Sequence, residues 1–337
     1  MTCNPLVSVV VLNWNGKSFL RDCLSTLMNQ TYARYEIIFV DNGSTDGSVE
    51  YVQQNFPTVR IIKNKENLGF SAGNNIGFKN STGKYLIALN NDTKIQSNFI
   101  EQLVKIAEGD EKVGSVGCKI IDFDGKISYG PLFVNKFGLI ARAHKPETYN
   151  KLCLNLANCA CCCLYRRSVI EEIGGFDEYF WSDWEDHDLG LRINLRGFKN
   201  VYTPSTSVLH AAGGTVKRSQ TGAARRVRII RNTMFTYVKN YEARNLVLPL
   251  IHFVLLSTVN HFALAYVNET RIIRCFLRGK SDELNMFIAN RKSYSSLFRA
   301  YFEFLKDFRK VLVKRERIQK MRRTSDKYIF SAAIEPP

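Results

Sequence analysis

The stretch "NWNGKS", Asn13 to Ser18, follows the apolar run "LVSVVVL" and carries the Gly-Lys-Ser ending of a phosphate-binding loop. Such a loop needs a glycine five residues ahead of its second one, so that bare backbone N–H groups can wrap the phosphate. Val11 stands there, still inside the strand-like run, which excludes that chemistry. No G-x-G-x-x-G follows the run either, so the dinucleotide fingerprint is missing. What remains is a βα turn with two asparagines and Trp14, in which Lys17 and Ser18 open a helix. Polar clusters close other apolar runs in the same way: Asp41-Asn42 after "EIIFV" and Asn90-Asn91-Asp92 after "YLIAL". Glu185, Asp186 and Asp188 open a helix whose Leu189 and Ile193 point inward, and His210 ends "SVLH". Acids at a helix start are ordinary stabilisers, and "DNGSTDG" is a good turn, so residue types alone leave each role open.

The elements that would position these groups alternate from the start. A strand over Leu6 to Leu12 precedes a helix with Leu20, Leu24, Leu27 and Met28 on one face, and "EIIFV", "VRII" and "YLIAL" read as further strands between helices. Such βαβ alternation implies an α/β fold with a doubly wound, mostly parallel sheet. Ligands sit at the carboxyl ends of strands in sheets of that kind, so the polar clusters are expected to converge. The pattern is irregular over 126–150, and after Gly214 long helical, basic and apolar segments replace the βα rhythm. A catalytic domain over 1–220, with halves over 1–125 and 126–220, a helical region over 221–325 and a tail over 326–337 are expected.

With 337 residues, 45% of them hydrophobic, the chain can bury a large core, and disorder is not the default. Residues 1–216 hold 22 basic and 22 acidic side chains, whereas 217–337 hold 25 and 9, so the C-terminal third carries the whole net charge of +16. A basic excess beside apolar residues suits an anionic partner, a membrane surface or nucleic acid. Met1 to Pro5 lead straight into a strand without a charged and apolar preamble, which points to a cytosolic catalytic part. "CACCC", Cys159 to Cys163, lacks the paired spacing of a metal site and reads as small hydrophobes in a buried strand.

Seven blocks in order, "VSVVVLNWNG", "VDNGSTDGS", "NLGFSAGNN", "LNNDT", "GGFDEYF", "EDHDLGLR" and "VLHAAGG", resemble the family-2 inverting glycosyltransferases of the GT-A fold, nearest to the rhamnosyltransferase-like branch. The resemblance implies a nucleotide-sugar site from Asn13, Trp14, Asn15, Asp41, Asn67, Gly69, Asn74 and Asn91. In it Trp14 would stack on the base, or else be a core residue, and Asp41 would accept from a base N–H or ribose hydroxyls. "NLGFSAGNN" suits close backbone approach to a sugar or phosphate, or equally a closely packed helix cap. "LNNDT" occupies the place of the family's Asp-x-Asp and keeps only Asp92, so the resemblance assigns a divalent cation to Asp92, the diphosphate, water and His210. Imidazole suits Mn²⁺ better than Mg²⁺, and either fits. Asp186 is implied as the general base, with Trp181 and Glu185 on the acceptor side. The dipole of its helix would lower its pKa, so desolvation or a like charge is expected to oppose that.

The donor implied first is dTDP-rhamnose, with UDP- and GDP-hexoses compatible, and the acceptor is a hydroxyl of a lipid-linked glycan or surface polysaccharide precursor. Leu246 to Asn268 carries no charged residue over 23 positions, long enough to span a bilayer. Pro249, His252, Asn260 and His261 weaken that reading, and basic residues flank both ends, leaving burial and in-plane insertion as the other readings. The expectation is a peripheral enzyme on the cytoplasmic face of the membrane, with basic helices from Arg271 to Arg323 on anionic headgroups. Tyr294, Phe298, Tyr301 and Phe302 recur at helical spacing, as a packing face does, so no nucleic-acid partner is expected.

Overall fold

The computed structural model describes residues 4–135, 137–143, 145–211, 222–276 and 284–332, with the backbone alone for 260–276, 284–294 and 332. The chain divides into two compact units, one of Met1–Asn135, Ile140–Ser219 and Met321–Pro337, the other of Lys136–Leu139 and Gln220–Lys320.

The first unit opens with β1 (Val7–Asn13), α1 (Lys17–Met28), β2 (Tyr35–Asp41), α2 (Ser48–Asn55), β3 (Arg60–Lys63), α3 (Gly69–Lys79), β4 (Tyr85–Asn90), β5 (Thr93–Ile95), α4 (Phe99–Gly109) and β6 (Val113–Asp122). The irregular stretch holds short strands β7 (Ile127–Tyr129), β8 (Leu132–Val134) and β9 (Ile140–Arg142), a 3₁₀ turn at Pro146–Asn150 and β10 (Cys153–Asn155). Then come β11 (Cys162–Arg166), α5 (Arg167–Ile173), α6 (Glu185–Leu195) and β12 (Lys199–His210). The sheet order is β10-β12-β6-β11-β4-β1-β2-β3, with β5 on β12 and β7 on β6, while β8 and β9 form a separate pair. β1 to β4, β6 and β12 run one way, and β11 enters antiparallel between β4 and β6.

Successive strand residues point to opposite faces, and both faces are covered. Val9, Val11, Phe39, Ile87 and Leu89 pack with Leu20, Leu24, Leu27, Phe99 and Leu103 of α1 and α4. Val10, Ile38, Val40 and Ala88 pack with Phe78, Val169, Ile173, Leu189 and Ile193 of α3, α5 and α6. Cys23 completes the inner stripe of α1, and Met28 is exposed rather than part of it. Cys162 and Cys163 fill opposite faces of β11, as small hydrophobes do.

β12 is carried past an irregularity between Thr203 and Ser207 by pairing with both β6 and β5. That extension places His210 opposite Thr93, next in sequence to Asp92. The last residues of the first unit include a further helix, Asp326–Ala332, where a tail was read, and Arg322 Nη1 pairs with its fully buried Asp326 at 2.8 Å.

In the second unit, α7 (Gly222–Asn240) and α9 (Leu284–Met321) share a core of Val227, Ile230, Met234, Leu297 and Ala300, against which Leu250 and Phe253 of α8 (Ala243–Phe276) pack. Arg315 and Gln319 of α9 donate to the end carbonyls of α7 and the residue after it, at 2.7 Å to Tyr241 and 3.1 Å to Lys239, which would otherwise lack partners. Tyr301 Oη lies 2.8 Å from Ser257 Oγ and ties α9 to α8. Val247, Leu248, Ile251, Leu255 and Val259 on α8, and Phe298, Phe302, Leu305 and Val313 on α9, are exposed. In the same half of the uncharged stretch Pro249 is buried and Leu250 and Phe253 pack against the core. The side chains of 260–268 and of Tyr294, and residues 277–283 of the basic region, lie outside the described residues. No described helix is long and apolar enough to cross a membrane.

Candidate active site

The carboxyl ends of β1, β2 and β4 meet in a buried network of short polar side chains. Asn13, fully buried, donates through Nδ2 to Asp41 Oδ1 at 3.0 Å and to Ser44 Oγ at 3.1 Å, and its Oδ1 accepts from Asn91 Nδ2 at 2.6 Å. Asp41 Oδ2 accepts the Ser44 backbone N–H at 2.8 Å. Asn15 holds the same turn, its N–H on Ser44 Oγ at 2.9 Å and its Oδ1 on the Thr45 N–H at 2.8 Å. A Cβ on Gly16 would fall 2.0 Å from Asn91 Nδ2, so the glycine of "NWNG" leaves room for an asparagine pair rather than a phosphate. Trp14 is half-buried on this turn. Asp41 is buried, and each of its oxygens takes one protein donor.

Beyond β2, Asn42 Nδ2 donates to the Gly69 carbonyl at 3.0 Å, and Asn67 Oδ1 accepts the Gly69 N–H at 2.9 Å. Gly69 has φ +84°, and a Cβ there would lie 2.6 Å from the Trp181 ring. The Trp181 carbonyl accepts the Phe70 and Ser71 N–H groups at 2.6 and 3.1 Å. The close approach that Gly69 permits is thus to an indole, and this helix start is capped by protein. Of the two readings of this block, the closely packed helix cap is the one these contacts describe. Asn74 is buried within α3, its Nδ2 on the Phe70 carbonyl at 3.0 Å.

At the β4–β12 side a carboxylate oxygen is left open, while His210 Nε2 has Asn90 Nδ2 at 3.5 Å. Asp92 and His210 come together, Oδ1 to Nε2 at 3.2 Å, with the Ala211 N–H on the Asp92 carbonyl at 3.0 Å. Asp92 Oδ1 is buried and takes no aligned hydrogen bond among the described residues. A buried carboxylate oxygen without a donor, facing an imidazole nitrogen, is the donor set a divalent cation fits. The described residues contain no cluster of three or more ligating side chains, so diphosphate and water would have to complete the shell.

α6 begins beside this edge. Burial acts to raise the Asp186 pKa, but the charge of His187, its Nδ1 at 2.6 Å, and backbone N–H groups of His187 and Ala160 outweigh it and hold the carboxyl below its ordinary range. Desolvation opposes the lowering, as expected, but does not win. Glu185 is buried beside it, and Asp188 belongs to the scaffold, paired with Arg192 Nε at 2.9 Å in the interior. Trp184 stacks on His187 with ring centres 4.4 Å apart. Among the described residues, the non-glycine positions with positive φ are Asn15, Trp181, Asp183 and Trp184, all in these two turns. Each costs on the order of 1–3 kcal/mol, and such strain collects at functional sites.

His187, Asn42 and Ser44 were missed as site residues. His187 lay in plain view inside "EDHD", read for its acids alone.

Residues 8–174 match the family model described as Glycosyl transferase family 2. The chain is 30% identical over 224 residues to the O-antigen biosynthesis protein RfbC of Myxococcus xanthus, covering 61% of this chain and 17% of that protein. It is 28% identical over 234 residues to the N-acetylglucosaminyl-diphospho-decaprenol L-rhamnosyltransferase of Mycobacterium tuberculosis, covering 61% and 76%. The chain spans 17% and 25% of the first two relatives it matches. Among solved structures, the mannosyltransferase PcManGT of Pyrobaculum calidifontis, in complex with GDP-Man and Mn²⁺, aligns with a TM-score of 0.56 at 17% identity over 91% of this chain and 88% of that one. GalNAc-T7 with UDP, GalNAc and Mn²⁺ aligns at 0.58 and 18% identity, over 73% and 49%. The fold is that of the GT-A glycosyltransferases.

Proposed function

Since residues 8–174 are a glycosyl transferase family 2 domain, we propose that the protein is an inverting glycosyltransferase that moves a sugar from a nucleotide sugar to a hydroxyl of a lipid-linked glycan or surface polysaccharide precursor. The observation that carries this reading is Asp92 Oδ1, buried without an aligned hydrogen bond and facing His210 Nε2 at 3.2 Å, at the carboxyl edge where the Asn13–Asp41 network ends. The donor reading is dTDP-rhamnose, supported by the rhamnosyltransferase named among the relatives. UDP- and GDP-sugars form the second reading, supported by the donors in the two solved structures.

Trp14 offers its face to the nucleoside base, and Asn15, Asp41 and Ser44 fix the turn that presents it. Asn91, pinned to Asn13, and Asn67, pinned to Gly69, orient the strand ends around the sugar and diphosphate. Asp92 and His210 would hold a Mn²⁺ or Mg²⁺ ion, which when bound neutralises charge on the departing diphosphate. Asp186, at the start of α6, is the general base that takes the proton of the acceptor hydroxyl as its oxygen attacks the anomeric carbon. Trp181 and Glu185 border the acceptor. A panel of nucleoside diphosphates with Mn²⁺, read by thermal shift, tests the donor. Stabilisation by dTDP is expected, and stabilisation by GDP alone removes the thymidine reading.

The exposed apolar residues of α8 and α9, in the third of the chain with 25 basic and 9 acidic side chains, support in-plane binding to the cytoplasmic face of an anionic membrane. Flotation with liposomes should rise with anionic lipid and fall with salt. Protein that stays unbound at low salt overturns the membrane reading.

A further inference from the structure

One nitrogen of His210 meets two opposite demands. Nε2 lies 3.2 Å from Asp92 Oδ1, an oxygen that only accepts when ionised, and 3.5 Å from Asn90 Nδ2, a nitrogen that only donates. With a cation at the Asp92–His210 pair, Nε2 offers its lone pair as Asp92 does, and the single hydrogen of the neutral ring sits on Nδ1. That hydrogen needs an acceptor, and Nδ1 makes no hydrogen bond among the described residues.

On the neighbouring strand a complementary atom is unused. Asp122 Oδ1, at the end of β6, is buried and has no hydrogen-bond partner among the described residues. β6 and β12 run parallel, and Asp122 is paired in register with His210, as Ile121 is with Leu209. Such register partners stand about 4.8 Å apart and send their side chains to the same face of the sheet. β5 flanks His210 on its other side, with Thr93 opposite it. The imidazole therefore has a carboxylate on each side, Asp92 just before β5 and Asp122 on β6.

The β6–β7 hairpin fixes the Asp122 backbone, whose N–H donates to the Lys126 carbonyl at 2.8 Å and whose carbonyl accepts the Gly125 N–H at 2.9 Å. Basic side chains on the two flanking elements are committed elsewhere, Lys126 to Asp124 at 3.1 Å and Lys94 to Asp22 at 2.7 Å. A buried carboxylate oxygen without a donor is costly alone, and a ring N–H without an acceptor on the same face of the next strand satisfies it.

We infer that Asp122 is a positioning residue whose Oδ1 accepts the Nδ1 hydrogen of His210, fixing the tautomer whose Nε2 lone pair serves the cation. This rests on the cation site of the transferase reading and adds a residue behind it. A carboxylate on the far side of the ring also strengthens Nε2 as a ligand. The described residues hold no cluster of three ligating side chains, so Asp122 acts through His210 rather than on the cation.

Mn²⁺ binding to the full chain, read by paramagnetic NMR relaxation with and without nucleoside diphosphate, tests this in a double-mutant cycle of Asp122→Ala and His210→Ala. Asp122→Ala should weaken Mn²⁺ binding by about 10-fold or more in the wild-type background, and by less than about 2-fold when His210 is already alanine. Asp122→Asn keeps an oxygen that can accept from Nδ1 and should retain more affinity than Asp122→Ala. The metal-free Asp122→Ala protein should unfold at or above the wild-type temperature, because the oxygen it loses has no partner there. Unchanged Mn²⁺ affinity in Asp122→Ala overturns the inference. An equal loss in the His210→Ala background also overturns it, by putting Asp122 on the cation directly. Affinity lost only together with a lowered metal-free unfolding temperature, in Asp122→Ala and Asp122→Asn alike, makes Asp122 a scaffold residue and overturns it too. A wild type that binds no Mn²⁺ under either condition removes the cation site and the inference together. Mn²⁺ binding with the expected dependence on Asp122, in a protein that transfers no sugar from any donor, upholds the inference and strikes the transferase reading.

Discussion

The two sides of the carboxyl edge are built on opposite terms. On the β1–β2 side, Asn13, Asp41, Ser44 and Asn91 satisfy one another, and Asp41 has both oxygens engaged. On the β4–β12 and α6 side, Asp92 Oδ1 and Glu185 Oε2 are buried without an aligned hydrogen bond among the described residues. A closed network fixes a shape at no further cost, whereas an open polar atom in the interior is retained only where something else completes it. On the proposed transferase reading, the first side frames the donor and the second side carries the chemistry.

Changes on the open side should cost rate, and changes on the closed side should cost stability. Asp186→Asn should lower kcat by roughly 10³-fold or more while nucleotide still binds, because the amide cannot take the acceptor's proton. Steady-state kinetics with isothermal titration checks this, and full activity would sink the assignment. Asp92→Asn or His210→Ala should lower kcat/KM by about 10²-fold and weaken Mn²⁺ binding measured by paramagnetic NMR relaxation. On the closed side, Asn13→Ala strands Asp41 Oδ1 and Asn91 Nδ2 and should destabilise the protein by about 2–4 kcal/mol in urea unfolding. Unchanged stability there would erase the contrast. Gly69→Ala must take φ +84° and displace Trp181, a loss of about 1–3 kcal/mol in the same assay. Trp14→Ala removes no hydrogen bond, and should raise the donor KM by about 10-fold with kcat near wild type.

Much of this was legible because strand, turn and helix signals are local. The runs ending at Asn13, Asp41 and Asn90 gave the edge, and a carboxyl-edge rule placed their polar residues together. His210 was legible through the order of blocks, although its meeting with Asp92 depends on β12 pairing with the three-residue β5. The contact of Gly69 with Trp181 was not, since it joins residues far apart in sequence through a positive-φ turn that no periodicity encodes. The filled oxygens of Asp41 were hidden for a related reason: a turn-forming Asp and a ligand-binding Asp share one pattern until the partners at Asn13 and Ser44 are seen. His187 needed only the recognition that an imidazole one residue after a carboxylate can face it.

The account's central claim is tested most directly by transfer of labelled rhamnose from dTDP-rhamnose to a diphospholipid-linked acceptor, before chelation, after EDTA, and after Mn²⁺ is restored. The account predicts a product with inverted anomeric configuration, formation that stops with EDTA, and recovery with Mn²⁺. Turnover that continues unchanged through chelation, or a product that retains configuration, would contradict it.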